Sequence, residues 1–181
     1  RTALLEALPF LNELNGPLAV LVPGGAFGPS KMWPVERFAQ LADALQQRYN
    51  AASVISIAPI QKEIDIAEAI CRQAASGPVH LGKTPLSGGA LKALIERADL
   101  VITNDTGPRH IAIGLNRAVI SLFGPNNPEW TQTGHTKEAQ IVGHAACVPC
   151  DKPVCRAERH LCMESITVEQ VLEAAGQFLA K

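Results

Sequence analysis

Continuous apolar runs alternate with amphipathic segments along the chain, and this alternation limits the fold more than any other feature. The runs L-A-V-L-V at 18–22 and A-V-I-S-L-F at 118–123 lack a strict polar–apolar alternation. Strands of this kind are buried on both faces, which is typical of parallel sheets covered by helices. The sequence therefore predicts an α/β fold, namely a Rossmann-like parallel sheet with helices on both faces.

The same pattern gives the order of the elements. Strands are predicted at 18–22, 52–58, 79–81, 100–103, 118–123 and 139–143. Helices are predicted at 1–15, 34–48, 62–74, 87–97 and 167–179, with another short helix over 111–116. Ser87 is expected to open the helix at 87–97, and Thr167 to cap the closing helix with Glu169 or Gln170 behind it.

Composition narrows the class of protein. The chain has 181 residues, of which 47% are hydrophobic and 18% charged, which fits one globular domain with a sizeable core. A net charge of −1 argues against a nucleic-acid partner or a polybasic membrane patch. No apolar run approaches the ~20 residues that a transmembrane helix needs. The opening R-T-A-L-L-E-A-L has neither a signal-peptide pattern nor a starting methionine, so a fragment or a processed piece is expected.

Three loops follow predicted strands and carry unusual residues, and ligands bind at the carboxyl ends of strands in open parallel sheets. The first is P-G-G-A-F-G-P-S-K at 23–31, whose glycines allow close backbone approach and whose Lys31 adds positive charge. This combination favours a phosphate over a loop that only turns the chain, although the spacing is neither G-x-G-x-x-G nor the Walker pattern.

The second loop is D-T-G-P-R-H at 105–110, and the third is F-G-P-N-N-P-E-W at 123–130, which alone indicates only a polar rim. Thr106 and Gly107 are expected at a helix N-terminus, where free N–H groups bind anions. A simpler interpretation is that Asp105 caps this helix. His110 would more often be a packed, hydrogen-bonded residue than a catalyst.

Taken in order, P-G-x-x-x-G-x-x-K-x-W-P (23–34), D-T-G-P-x-H (105–110) and L-F-G-P-x-x-P (122–128) closely resemble glycosyltransferase family 9, the bacterial ADP-heptose:lipopolysaccharide heptosyltransferases. The resemblance implies the C-terminal half of a GT-B fold. Residues 1–16 would then be an interdomain helix or linker. Residues 17–181 would form the nucleotide-sugar (donor) domain, including a cysteine-rich segment at 147–162 and the closing helix at 167–179.

The resemblance also implies roles for individual residues. Lys31 would stabilise the leaving diphosphate, Asp105 would hold the sugar hydroxyls, and the backbone amides of Thr106 and Gly107 would bind the diphosphate. Arg109 could add to the phosphate site. The remaining substrate-binding residues expected here are Gly24, Gly25, Glu63 and His110.

Within that set, the role of Glu63 would be to bind the ribose, and Asp65 competes with it for this role because I-Q-K-E-I-D lacks a firm anchor. Gly25 departs from the family pattern, since several members carry a small hydroxyl residue there near the phosphate.

The implied function is transfer of heptose from ADP-heptose to a lipopolysaccharide core acceptor, by an inverting reaction that requires no cofactor. The catalytic base and the acceptor site would lie in an N-terminal half, so this chain alone is expected to bind donor without transferring it. A cytoplasmic location is expected, with peripheral contact at the inner membrane. A family relative with another nucleotide sugar and a non-catalytic nucleotide-binding module remain alternatives. An oxidoreductase is disfavoured by the spacing of the glycine loop.

Four of the five cysteines crowd into one segment with the spacing C-x2-C-x4-C-x6-C. Four thiolates so close in sequence could bind one structural zinc ion, and the alternatives are reduced packed thiols or a disulfide. The four residues are Cys147, Cys150, Cys155 and Cys162. A structural role is expected because none is near the donor loops in sequence. Cys71 is expected to be simply buried in a helix.

Overall fold

The computed structural model describes residues 8–82 and 86–180, and in them six strands form a parallel sheet in the order β3-β2-β1-β4-β5-β6. The strands are β1 (Leu18–Val22), β2 (Ala52–Ile55), β3 (Val79–His80), β4 (Leu100–Asn104), β5 (Val119–Phe123) and β6 (Glu138–Val142). The α-helices are α1 (Val35–Tyr49), α2 (Gln61–Gln73), α3 (Gly88–Arg97), α4 (Gly107–Gly114), α5 (Leu161–Glu164) and α6 (Val168–Leu179). Short 3-10 helices occupy Pro9–Asn12, Pro29–Lys31 and Pro128–Thr131. The predicted α/β fold is confirmed.

The apolar strands are buried on both faces, as expected. Along β1, Ala19 and Leu21 pack into a core formed with α1, α2 and α6, while Leu18, Val20 and Val22 pack into a second core with α3 and α4. Successive side chains of a strand point to opposite faces, so a strand between two helical layers must be apolar at every position. No α-helix among the described residues is both long and apolar enough to cross a bilayer.

Side chains fix the starts of two helices where the sequence places them. The hydroxyl of Ser87 accepts from the N–H of Ala90 at 3.2 Å and caps α3. Thr167 and Gln170 form a reciprocal capping box at the start of α6, with N–H to side-chain distances of 2.8 and 3.2 Å. Both caps satisfy backbone donors that a helix start leaves unpaired.

Three predicted elements differ clearly from the structure. The short helix predicted over 111–116 spans Gly107–Gly114. The strand predicted at 52–58 ends at Ile55, and the N–H of Ala58 instead donates to the Glu63 carboxylate at 2.7 Å. The helix predicted at 1–15 falls partly outside the described residues. Its described part contains only the 3-10 helix Pro9–Asn12, because a proline interrupts an α-helix by removing an N–H. The division of the chain at residue 16 stays a prediction.

Candidate functional site

Two of the three predicted loops, those after β1 and β4, line a cavity of about 550 Å³ at the carboxyl edge of the sheet, and the third loop, at 123–130, is not part of its wall. The segments after β1, β2 and β4 all contribute to its wall. Five of the expected ligand-binding residues line it, namely Gly24, Gly25, Glu63, Thr106 and Gly107. Lys31, Asp105 and His110 are not among its lining residues. The structure therefore brings most of the expected set together in one place.

At two glycines of the first loop, an added side chain would meet a neighbouring side chain. A Cβ on Gly24 would lie 2.3 Å from the Glu63 carboxylate, and one on Gly25 would lie 2.7 Å from Cγ2 of Thr106. A hydroxyl residue at position 25 would therefore displace Thr106. The N–H of Gly25 donates to Oε1 of Glu63 at 3.2 Å. A phosphate could reach this N–H only in competition with Glu63.

Glu63 joins two loops of the cavity. Its side chain is 6% exposed, and its two oxygens accept from Gly25 N–H and Ala58 N–H. Asp65, the competing residue, is exposed on α2 and accepts from the side chain of Gln61 at 2.7 Å. Only Glu63 of the two lines the cavity, and its contact with a ribose stays a prediction.

The start of α4 forms another part of the cavity wall. Thr106 is the N-cap residue, yet its side chain makes no capping bond and instead lies 3.2 Å from the hydroxyl of Thr103. Thr106, Gly107 and Pro108 line the cavity, so the positive end of the helix faces it. The structure does not support Asp105 as the cap, because its carboxylate pairs with two cations elsewhere.

Lys31 and Asp105 are partners of each other. Nζ of Lys31 lies 2.9 Å from Oδ2 of Asp105 and 3.0 Å from its carbonyl oxygen. The ammonium also lies 4.5 Å from the ring centroid of Phe27, which adds a cation–π contact. The two residues expected to contact phosphate and sugar thus neutralise each other.

Arg109 extends this ion pair into the protein. Its side chain is fully buried, its Nη1 lies 3.2 Å from Oδ1 of Asp105, and its Nε lies 2.7 Å from Oε1 of Glu138. Burial pushes the pKa of Glu138 upward, but hydrogen bonds from Arg109 and Ser121 and the charge of Arg109 outweigh burial and hold it below its ordinary value. Because the Arg109 guanidinium is buried and already paired with two carboxylates, the structure does not favour the phosphate contact expected for this residue.

Asn104 and His110 lie on the two sides of the connection between β4 and α4. His110 is exposed in the first turn of α4, and a contact with substrate stays a prediction. Asn104, which sequence reasoning missed, is buried at the end of β4 and donates to the carbonyl oxygens of Pro23 and Gly24 at 2.8 and 3.4 Å. The sequence does contain a signal for this contact, namely a polar residue at the end of a buried apolar strand.

The cysteine segment, residues 147–162, encloses a smaller cavity of about 150 Å³. Its wall includes the side chains of Cys147, Cys150, Cys155, Cys162 and His160. Burial raises the pKa of the Cys162 thiol, and the charges of the other three cysteines raise it further. Within residues 8–82 and 86–180, no three cysteine, histidine, aspartate or glutamate side chains are arranged to hold a metal ion. The predicted zinc site is therefore not confirmed.

The remaining cysteine lies in a helix, as expected, but is only partly buried. Cys71 is half-buried in α2, and its thiol lies 3.1 Å from the carbonyl oxygen of Pro78. Burial raises the pKa of this thiol above its ordinary value.

The cysteine segment touches the donor loops, which its distance from them in sequence does not suggest. Ser30 of the first loop donates its hydroxyl to the carbonyl oxygen of Lys152 at 2.5 Å. Pro125 of the third loop accepts from the N–H groups of Cys150 and Asp151, both at 2.9 Å. Separation in sequence therefore does not mean separation in the fold, because the chain folds back across 122 residues between Ser30 and Lys152. The expected structural role of the cysteines stays a prediction.

The sheet order, the glycine-rich first loop and the helix N-terminus at the cavity define a Rossmann-like domain of the class that binds phosphate-containing ligands at the carboxyl edge. The model of glycosyltransferase family 9 (heptosyltransferase) matches residues 3–161. The match covers most of the chain, and the chain belongs to this family.

Individual relatives agree with this assignment. The chain is 32% identical to lipooligosaccharide heptosyltransferase 2 of Haemophilus influenzae, over 91% of this chain and 48% of the relative. It is 28% identical to the enzyme of the same name from Campylobacter jejuni, over 95% of this chain and 56% of the relative. The solved structure of Escherichia coli ADP-heptose LPS heptosyltransferase II is similar with a TM-score of 0.76 and 26% identity, over 97% of this chain and 51% of that one. The chain spans about half the length of the curated relatives it matches.

Proposed function

We propose that this chain is the donor-binding half of a glycosyltransferase that moves heptose from ADP-heptose to a lipopolysaccharide core acceptor. The observation that carries the proposal is the convergence of five expected donor-binding residues on one cavity of about 550 Å³. The name of the similar E. coli enzyme supports ADP-heptose as the donor. The names of the curated relatives support a lipooligosaccharide acceptor.

Charge divides the cavity into a ribose side and a diphosphate side. The Glu63 carboxylate repels a diphosphate, while each of its oxygens accepts one N–H and keeps a lone pair for a hydroxyl group. The N-terminus of α4 at Thr106 and Gly107 attracts negative charge. A nucleotide would therefore place its ribose at Glu63 and its diphosphate at the start of α4.

Lys31 and Asp105 lie beyond the diphosphate side and would act on the bond that breaks. A departing diphosphate gains negative charge, which fixed amides and the ammonium of Lys31 stabilise without a metal ion. Asp105 would accept hydrogen bonds from sugar hydroxyls once donor binding breaks its ion pair with Lys31, or while the carboxylate contacts both Lys31 and the sugar. The base that activates the acceptor is proposed to lie in another domain, so transfer would require both halves. The inverting course is proposed from the family resemblance alone.

A transferase that uses another nucleotide sugar is the second candidate. The part of the cavity formed by Ile57, Pro59, Ile60 and Leu91 is apolar, and an apolar wall accepts the flat face of any nucleobase. This wall alone gives no preference for adenine.

Calorimetric titration of the chain with ADP, ADP-heptose and UDP-glucose tests the proposal. ADP and ADP-heptose should bind, and Glu63→Gln should weaken both, because the neutral amide is a poorer acceptor for the ribose hydroxyls. Asp65→Asn, on the same helix but exposed, is the matched control and should leave both affinities unchanged. Tighter binding of UDP-glucose would support the second candidate, and binding of none of the three nucleotides would contradict the proposal.

The proposed location is the cytoplasm, with peripheral contact at the inner membrane where a lipid-linked acceptor would be met. Clustered cysteines without disulfides fit a reducing compartment. No nucleic-acid partner is proposed.

We also propose a structural zinc ion at Cys147, Cys150, Cys155 and Cys162, with no cofactor for the transfer itself. Four thiolates are a ligand set that closed structural zinc sites use, and all four side chains line the same small cavity. Because no three of them stand ready to hold a metal among the described residues, the side chains would have to turn toward the ion.

Metal analysis of purified protein tests the zinc proposal. Wild-type chain and Cys71→Ser should each hold about one zinc per chain, since Cys71 lies in α2 and does not line the small cavity. Cys150→Ser should hold far less. A folded wild-type chain that takes up no zinc would contradict the proposal.

A further inference from the structure

The guanidinium of Arg109 is held in one orientation by groups from β5, β6 and the 3-10 helix between them. Its Nε and Nη2 donate to the two carboxylate oxygens of Glu138 at 2.7 and 3.2 Å. Nη2 also donates to the carbonyl oxygen of Thr131 at 3.1 Å, and the guanidinium carbon lies 5.1 Å from the ring centroid of Phe123. Because the Arg109 side chain is fully buried, bulk water does not compete for these contacts, and they fix the guanidinium in place.

One N–H of this fixed group points at Asp105. Nη1 of Arg109 lies 3.2 Å from Oδ1 of Asp105, while Oδ2 lies 2.9 Å from Nζ of Lys31. A buried cation therefore holds one oxygen of the carboxylate, and the Lys31 ammonium contacts the other. Each carboxylate oxygen has two acceptor sites, so Oδ2 keeps one of them for a hydroxyl group. The contact with Arg109 thus gives Asp105 a defined acceptor on the side of Lys31.

Glu138 determines how many N–H groups Arg109 offers to Asp105. A guanidinium commonly binds a carboxylate through two parallel N–H groups. Glu138 takes this bidentate contact, and Asp105 receives a single N–H from Nη1. If Glu138 lost its charge, the buried charge of Arg109 would be balanced by Asp105 alone. Both oxygens of Asp105 would then be drawn toward Arg109 and away from Lys31.

We infer that Arg109 and Glu138 are positioning residues that direct the Asp105 carboxylate toward the sugar of the donor. This inference rests on the proposed function, in which Asp105 accepts hydrogen bonds from sugar hydroxyls. Neither Arg109 nor Glu138 is among the residues that line the large cavity, so neither is assigned a contact with the nucleotide. Their effect on binding should therefore appear with ADP-heptose, which carries the sugar, and not with ADP.

The test measures by calorimetry how much more tightly the chain binds ADP-heptose than ADP. Wild type should bind ADP-heptose at least about tenfold more tightly, and Asp105→Asn should lose this preference. Glu138→Gln should leave the ADP affinity unchanged and should lower the preference for ADP-heptose by roughly tenfold, since a hydrogen bond to a charged group commonly contributes at least this factor. A residue that only stabilises the fold would not change the two affinities differently.

A control and a second variant accompany Glu138→Gln. Glu169→Gln alters the exposed ion pair with Arg48 and should keep the wild-type affinities for both ligands. The double variant Arg109→Met/Glu138→Leu removes the buried pair without leaving one of its charges unpaired. It should bind ADP like wild type and should also lose the preference for ADP-heptose. Circular dichroism establishes that each variant is folded.

Each other outcome has a definite meaning. An unchanged preference for ADP-heptose in folded Glu138→Gln would overturn the inference and leave the proposed function intact. Equal losses of both affinities would also overturn it, because they would show a role in stability alone. If Glu138→Gln does not fold, a wild-type preference in the double variant would overturn the inference. Failure of wild type to bind either ligand would overturn the proposed function itself.

Discussion

The Arg109–Glu138 pair gives the sharpest energetic prediction, because both side chains are almost completely enclosed. They are 0% and 4% exposed, and two guanidinium nitrogens of Arg109 lie 2.7 and 3.2 Å from the two carboxylate oxygens. Glu138→Gln places an amide where one of these oxygens was and removes the negative charge. Breaking one side of a buried ion pair commonly costs about 3–5 kcal/mol. We expect about 3 kcal/mol, because Asp105 remains 3.2 Å from Arg109.

Urea unfolding at pH 7 measures this cost, and an exposed ion pair supplies the control. Arg48 and Glu169 lie 3.5 Å apart with side chains 52% and 66% exposed, so Glu169→Gln should cost less than about 1 kcal/mol. The double variant Arg109→Met/Glu138→Leu should lose less unfolding free energy than the sum of the losses in Arg109→Met and Glu138→Leu measured separately. Similar small losses for Glu138→Gln and Glu169→Gln would refute the account of the buried network.

The pH dependence follows from the sign of the pKa shift. The folded-state pKa of Glu138 lies below its ordinary value of 4.5, so the pair stabilises the fold above that pH. The contribution is lost as the pH falls through the folded-state pKa. The difference in unfolding free energy between wild type and Glu138→Gln should therefore be full at pH 7 and shrink below about pH 4.5. A difference that stays constant down to pH 3 would contradict this reasoning.

Two further substitutions test local packing. Gly24→Ala should destabilise the chain by about 1–3 kcal/mol in urea unfolding and weaken ADP binding, because the new Cβ meets the Glu63 carboxylate. Gly114→Ala has open space around its Cβ and should be neutral or stabilising, and equal losses for both would contradict the packing argument. Thr167→Ala should cost about 1 kcal/mol and lower Tm by roughly 2–4 °C, because it removes the cap shared with Gln170. An unchanged Tm would show that the cap contributes nothing.

The sequence predicts the sheet well because strands that are buried on both faces are visible as continuous apolar runs. The strands β1, β4 and β5 are buried at every position, and each was readable as an apolar run. The helices α3 and α6 were readable because Ser87 and Thr167 cap them within the chain's own local sequence. Local apolar patterns fail where a proline interrupts a predicted helix, or where a side chain outside the strand accepts from its backbone, as Glu63 does from Ala58 beyond the early end of β2.

The sequence predicts which residues belong to the site better than it predicts how their side chains are arranged. Motif order identified Thr106 and Gly107 at one edge and left Glu63 and Asp65 as alternatives, and a sequence carries no direction for a charged side chain. Arg109 reads as one more cation beside a phosphate, yet it points inward because Glu138, 29 residues away, supplies a buried partner. The contact between Ser30 and the cysteine segment is a long-range contact of the same kind, and no spacing rule predicts it.

A crystal structure of the chain with bound ADP tests the central claim most directly. The account predicts the diphosphate at the N-terminus of α4, within hydrogen-bond distance of the N–H groups near Thr106 and Gly107. It predicts the ribose hydroxyls on the Glu63 carboxylate, and the base against the apolar wall near Ile57. ADP bound at any other place, or bound with its diphosphate away from α4, would contradict the assignment of this cavity as the donor site.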